Sequence, residues 1–113
     1  MNGNDFPKRG EIYWVDLDPT KGTEIQKTRP GLIVSNDEAN EFSSIVMVAP
    51  ITSNIKKIYP FQVLVNLKNT PSKILLNQCR ALDKSRLSKK IGKIDSKTMY
   101  LVEDAIRLVF GLN

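Results

Sequence analysis

Histidine is absent from the 113 residues, and cysteine occurs once, at Cys79. The first absence removes the side chain whose unperturbed pKa best suits proton transfer near neutrality. Serine-histidine, cysteine-histidine and two-histidine nuclease mechanisms are therefore excluded, and any catalysis must draw on carboxylates, guanidinium groups, hydroxyls or a perturbed Lys or Tyr. The single cysteine rules out an internal disulfide, and with no histidine the usual soft ligands for zinc are missing, so a structural zinc site is not expected; no cofactor is expected either. Cys79 reads as a small buried apolar residue, not a nucleophile. No apolar run approaches the length that crosses a bilayer, and Met1-Asn2-Gly3-Asn4-Asp5-Phe6 lacks the apolar core of a signal peptide. A cytoplasmic protein with no membrane partner is the expectation. Repeats, linkers and low-complexity tracts are missing as well, and at this length one domain must carry everything.

What is present is a mildly basic chain with turn signals every several residues. Its formal charge of +5, from 17 basic and 12 acidic side chains, is compatible with a polyanionic partner without establishing one. The turn rhythm is that of a small all-β barrel. Strands are expected over residues 11–17, 31–35 and 44–49, the last closed by Pro50, then over 61–65, 74–76 and 79–82. Between them, residues 36–41 favour a turn or one helical turn, 69–72 mark a turn, and 85–90 suggest a short helical turn. The period then becomes helical: with Asp95 or Ser96 as N-cap, Met99, Val102, Ile106 and Val109 recur at three- and four-residue steps, and Gly111 is a natural stop. The expected domain has a flexible N-terminus over about 1–8, a barrel over 9–94 and a covering helix over 95–111.

The most informative stretch is the loop Asp18-Pro19-Thr20-Lys21-Gly22-Thr23-Glu24-Ile25-Gln26-Lys27-Thr28-Arg29-Pro30. Pro19 and Gly22 forbid regular structure within it, and Pro30 biases Arg29 to an extended backbone at the mouth of the next strand. Glu24 and Arg29, a carboxylate and a guanidinium five residues apart, can build a site or simply pair with each other.

With its flanks, this loop resembles the MazF/PemK family of toxin endoribonucleases. The likeness runs from Lys8 into the C-terminal helix and is carried by Arg9-Gly10-Glu11-Ile12-Tyr13-Trp14-Val15-Asp16-Leu17-Asp18-Pro19, by Gly22-Thr23-Glu24 with Arg29-Pro30, by Val48-Ala49-Pro50-Ile51-Thr52-Ser53, and by Gln78-Cys79-Arg80-Ala81-Leu82-Asp83-Lys84-Ser85-Arg86-Leu87. The resemblance implies a mainly β fold with a C-terminal helix, a small SH3-like β-barrel of the MazF/PemK/CcdB type. It also implies a homodimer that cuts single-stranded RNA without metal, leaves 2',3'-cyclic phosphate and 5'-hydroxyl ends, and is silenced by a cognate MazE-like antitoxin.

Such chemistry needs a proton acceptor for the ribose 2'-hydroxyl and positive groups for the charge on phosphate. Arg29, whose planar fork suits two phosphate oxygens, takes the role of transition-state clamp. The family's catalytic threonine falls on Thr52, whose hydroxyl can donate to a phosphate oxygen; without the likeness it reads as a turn residue. Glu24 is the best available carboxylate base, with a charge-positioning role beside Arg29 equally open.

The expected RNA contacts are Thr20 and Lys21 in the loop, Ser53, Asn54, Lys56 and Lys57, and Gln78, Arg80, Asp83 and Arg86, the last four being dimer-interface positions as well; substrate choice is expected to depend on residues 52–57 and on the turn from Lys68 to Lys73. Gln78, Arg80, Asp83 and Arg86 could also be a solvated strand face with local ion pairs. Trp14 and Tyr13 are left to the strand, at least one of them to the core. Two other readings stay open: a CcdB-like inhibitor that binds DNA gyrase without catalysis, and an RNA-binding barrel without turnover.

Overall fold

Apolar alternation in the computed structural model, which describes residues 5–19, 22–23 and 27–113, organises a single curled antiparallel sheet. Its strands are β1 (Glu11–Asp16), β2 (Thr28–Ile33), β3 (Ile45–Thr52), β4 (Gln62–Leu67), β5 (Thr70–Leu75), β6 (Arg80–Asp83) and β7 (Leu87–Lys93). Helix α1 (Asp37–Phe42) follows β2, and α2 (Ser96–Phe110) closes the chain. The strand order is β4-β5-β3-β2-β1-β7, with β6 pairing β3 beside this path. The fold is therefore mainly β with a C-terminal helix, as the resemblance implied, the sheet curling into a half-barrel.

The sheet is apolar on both faces. Ile12, Leu32, Ala49, Ile51, Val63 and Ile74 meet Val102 and Ala105 of α2 in one cluster. Val15, Leu17, Ile33, Val46, Val48 and Leu82 form a second, and the change of cluster between Leu32 and Ile33 follows from the two-residue period of a strand. The helix carries the caps its sequence announces. Asp95 accepts from the Thr98 N–H at 2.8 Å, and Gly111, at φ 68°, takes the left-handed turn that ends it. In α1 the Asn36 side chain does the same for Ala39.

Several elements differ from the sequence expectation. Pro50 does not close β3 but lies inside it, opposite Gly31 of β2. The reason is that β3 changes partners there. It pairs β6 from Ile45 to Val48 and β5 at Ile51 and Thr52, so Pro50 falls in a break of the ladder, where a missing N–H is tolerated. The β4–β5 turn is Lys68-Asn69, both at positive φ of 49° and 66°, a two-residue hairpin turn of the type that matches strand twist. Thr70, Pro71 and Ser72, read as turn, are strand. Residues 84–86 form only one 3-10 turn. The lysine-rich run after it is edge strand β7, with Leu87 and Ile91 half-buried; charge on an outer strand is a device against edge-to-edge association and hides the alternation.

Candidate active site

The β2–β3 ladder decides where the two leading residues stand. Gly31 pairs Pro50 and Leu32 pairs Ala49, and carrying that register two residues further sets Arg29 opposite Thr52. Thr52 is in turn the partner of Lys73 on β5. Partners on neighbouring strands lie about 4.8 Å apart and project to one face of the sheet. Arg29, Thr52 and Lys73 thus form a row across three strands.

Two hollows flank this row. One, of about 450 Å³, is walled by Arg29, Thr52 and Ser53 together with Trp14, Lys27, Thr28 and Lys68. The other, of about 410 Å³, shares Arg29, Thr52 and Ser53 and adds Thr23, Asn54, Gln62, Lys73 and Gln78. The shared residues form the ridge between the hollows. There the Thr52 hydroxyl oxygen accepts from the Asn54 N–H at 3.2 Å. That bond orients the side chain while leaving the hydroxyl proton to be donated.

The sequence-derived contact residues divide between these walls and a second duty. Ser53, Asn54 and Gln78 stand in the hollows. Lys56 and Lys57 are exposed on the following loop, where the Lys57 ammonium lies 5.0 Å from the centroid of Tyr59. Arg80 donates to the Leu17 carbonyl at 3.0 Å, and Arg86 to the carbonyls of Asp16, at 3.2 Å, and Asp18. Asp83 caps the 3-10 turn that carries Arg86, accepting from the Ser85 N–H at 2.9 Å. That bond and the Ser85 hydroxyl hold its carboxyl below the usual carboxylate range.

Arg80 and Arg86 therefore brace the stem of the β1–β2 loop, which is also closed by Leu17 N–H to Lys27 O at 3.1 Å and Lys27 N–H to Asp18 Oδ1 at 3.0 Å. Thr20, Lys21 and Glu24, from the same loop, lie outside the described residues.

Burial pushes the Cys79 thiol up to about 11, so it offers little thiolate. Among the described residues no group of three or more His, Cys, Asp or Glu could hold a metal ion, and no helix is long and apolar enough to cross a membrane.

Sequence reasoning missed Trp14 and Gln62 as hollow-lining residues, while Lys68 and Lys73, expected to bear on substrate choice as the ends of one turn, both stand in the walls. What differs is the setting of Lys73, which the sequence put in a flexible turn and the structure puts in strand β5. Once β5 is extended to Thr70, strand alternation puts Lys73 and Leu75 on the side opposite Ser72 and Ile74. Trp14 gave no such signal, since a strand tryptophan reads as core, yet it is 38% exposed.

The molecule is thus a curled antiparallel half-barrel backed by one helix, with two hollows that meet at Arg29, Thr52 and Ser53. Residues 8–110 match the family described as PemK-like, MazF-like toxin of type II toxin-antitoxin system. Endoribonuclease MazF9 of Mycobacterium tuberculosis is 38% identical over 114 residues, covering 93% of this chain and 97% of the relative. Endoribonuclease EndoA of Bacillus subtilis is 39% identical over 110 residues, covering 93% and 95%. The crystal structure of MazF from Deinococcus radiodurans superposes with a TM-score of 0.83 at 26% identity, over 95% of this chain and 98% of that one. The chain belongs to the PemK-like, MazF-like toxin family of type II toxin-antitoxin systems.

Proposed function

We propose that this chain, a toxin endoribonuclease, cuts single-stranded RNA by intramolecular attack at a phosphodiester lodged on the Arg29–Thr52 ridge. The 2'-oxygen bonds to phosphorus and the bond to the 5'-oxygen breaks. The 2'-proton passes to a base, for which Glu24 is the candidate, and the leaving 5'-oxygen takes a proton from water. The products carry a 2',3'-cyclic phosphate and a 5'-hydroxyl, so the substrate's own hydroxyl is the nucleophile and no metal is required. The Arg29 fork holds the nonbridging oxygens as charge grows on them, and the Thr52 hydroxyl donates to one of them.

The observation that supports this reading is that Arg29 and Thr52, twenty-three positions apart in the sequence, line the same two hollows beyond the last β2–β3 pair, Gly31 with Pro50. The hollows on either side give room for the neighbouring nucleotides, whose base edges Ser53, Asn54 and Gln78 can meet with hydrogen bonds. Selectivity for a short sequence follows from those contacts.

A homodimer and a cognate antitoxin with an acidic, partly disordered tail complete the proposal. Such a tail would compete with RNA for the same basic surface.

Digestion of a long RNA in EDTA, with the new 5' ends sequenced, tests the reading. The unsubstituted chain should cut at a recurring short sequence. Arg29→Ala and Thr52→Val should each slow cutting by about a hundredfold or more, the scale of a lost transition-state donor, with unchanged circular dichroism. Intact RNA at high protein concentration across diverse sequences would refute it, and inhibition of gyrase supercoiling by the same sample would establish the noncatalytic alternative.

A further inference from the structure

We infer that Lys73 is a substrate-contact residue of this nuclease, holding the phosphate next to the one that is cut. The inference rests on the placement of the scissile phosphodiester at Arg29 and Thr52. Three observations carry it. Lys73 is the direct cross-strand partner of Thr52, so its side chain leaves the sheet on the same face, one strand spacing away. It lines the same hollow as Arg29, Thr52 and Gln78. Its ammonium is held in place, since it donates to the Lys57 carbonyl at 2.7 Å.

An ammonium has three donors, and this bond uses one. A cation fixed by a backbone carbonyl has already lost much of the rotamer freedom that a long lysine gives up on binding, so a phosphate arriving there is met by a preorganised charge. Arg29 and Lys73 stand on either side of Thr52, two strand spacings or about 10 Å apart at the backbone. Long side chains converging from both ends of such a row suit two successive phosphates of one strand running across β2, β3 and β5. Lys73 thereby sets the direction in which the RNA crosses the sheet.

The bond to Lys57 also gives the bland alternative, in which Lys73 only pins the loop over residues 53–61. The test separates the two. Lys73→Met and Lys73→Arg are compared with the unsubstituted chain on a short oligoribonucleotide spanning a mapped cut. Matched oligoribonucleotides carry one uncharged methylphosphonate at either linkage flanking the cut, with a 2'-O-methyl sugar on its 5' side.

For Lys73→Met, KM should rise about tenfold and kcat stay within about twofold, the loss of one charge-assisted contact made equally before and during reaction. The slope of log affinity against log salt should fall by about 0.7, one phosphate's share for a single strand. Lys73→Arg should restore most of the affinity. One of the two methylphosphonates should cost the unsubstituted chain about tenfold in kcat/KM and cost Lys73→Met almost nothing.

Equal losses in both proteins for both positions, or an unchanged salt slope, would overturn the assignment and leave Lys73 as a loop anchor. Failure of the unsubstituted chain to cut any RNA would instead overturn the nuclease reading, and Lys73's role with it.

Discussion

Gly31→Ala offers a sharp test of how the Arg29–Thr52 ridge is held, because the space beside Gly31 is already occupied. A Cβ built there would lie 2.5 Å from Val48 Cγ1 and 3.0 Å and 3.3 Å from the two methyl carbons of Val15. Comfortable carbon-carbon separation is about 3.5 to 4.0 Å. Both valines are fully buried, and a β-branched side chain has few rotamers to retreat into, so relief must come from backbone movement.

Overpacking of this kind costs about 1 to 3 kcal/mol, and two stiff partners argue for the upper half. A loss of about 2.5 kcal/mol corresponds to a fall of about 10 °C in Tm for a domain of this size. The movement has a direction, since Gly31 lies on β2 opposite Pro50 of β3. Spreading these strands draws Arg29 away from Thr52, and cutting should fall well below what the folded fraction accounts for.

Urea titration of the single variants and of Gly31→Ala with Val48→Ala provides the assay. Val48→Ala alone opens a cavity and destabilises by about 2 kcal/mol, but in the alanine-31 background it also removes the nearest clash. The double variant should therefore be at least about 1 kcal/mol more stable than the sum of the singles. Strict additivity, or a Gly31→Ala variant within about 0.5 kcal/mol of the parent, would refute the steric reasoning.

Three further outcomes are expected. Glu11 is buried, which by itself raises its pKa. The Lys90 ammonium at 2.6 Å, the Lys8 N–H at 2.8 Å and the Tyr13 hydroxyl at 3.0 Å outweigh that and hold it below the ordinary 4.5. A depressed folded pKa stabilises above the unfolded value and is lost as pH falls through the folded one. The stability gap between the parent and Glu11→Gln, read by urea titration, should then be widest at neutral pH and shrink below pH 4.5.

Cys79, its thiol raised to about 11, should react with iodoacetamide at pH 8 about a hundredfold more slowly than a free thiol, as followed by mass spectrometry; rapid labelling of the folded chain would contradict its burial. If Glu24 accepts the 2'-proton, the pH–rate profile of cutting should show an acid limb that Glu24→Gln abolishes. A loss of rate by the same factor at every pH would assign it to positioning Arg29 instead.

The elements written locally in the sequence were the ones that could be read there. Asp95 and Gly111 bracket α2 because a side-chain carboxylate and a residue free to take positive φ act on their own turns. β1 was legible because its pattern of buried and exposed residues is its own.

Strand extensions were not legible, because pairing decides them. β2 begins at Thr28, ahead of the expected Gly31, since Val15 and Asp16 of β1 supply partners for Arg29 and Thr28. Pro71 sits in β5 without harm because β3 pairs that strand only at Lys73 and Ile74. The edge strand β7 escaped notice because three of its residues are lysines facing solvent, which mimics a polar turn. For the site, family likeness drew attention to Arg29 and Thr52, and their convergence became visible only once the β2–β3 register was known. Arg80 and Arg86, read either as groups for RNA or as part of a solvated face with local ion pairs, also donate to backbone carbonyls under the β1–β2 loop, contacts between distant segments that no local pattern announces.

A strand that changes partners halfway explains why the row forms where it does. β3 spends its first half between β2 and β6, then leaves β6 behind and emerges beside β5. Thr52, at its end, pairs Lys73 of β5 two residues beyond Pro50, the last β3 residue paired with β2. On the proposed mechanism, a chain without histidine would stabilise a phosphorane-like transition state mainly through fixed positive charge and oriented donors. Such stabilisation depends on spacing more than on any single pKa, so on that proposal the site's strength would lie in the strands that carry Arg29, Thr52 and Lys73 to the wall of one hollow. The two cations should then differ in how they tolerate exchange. Arg29→Lys keeps the charge but loses the planar fork on which two-oxygen contact depends, and should cut almost as poorly as Arg29→Ala. Lys73→Arg keeps both charge and reach, and should lose little.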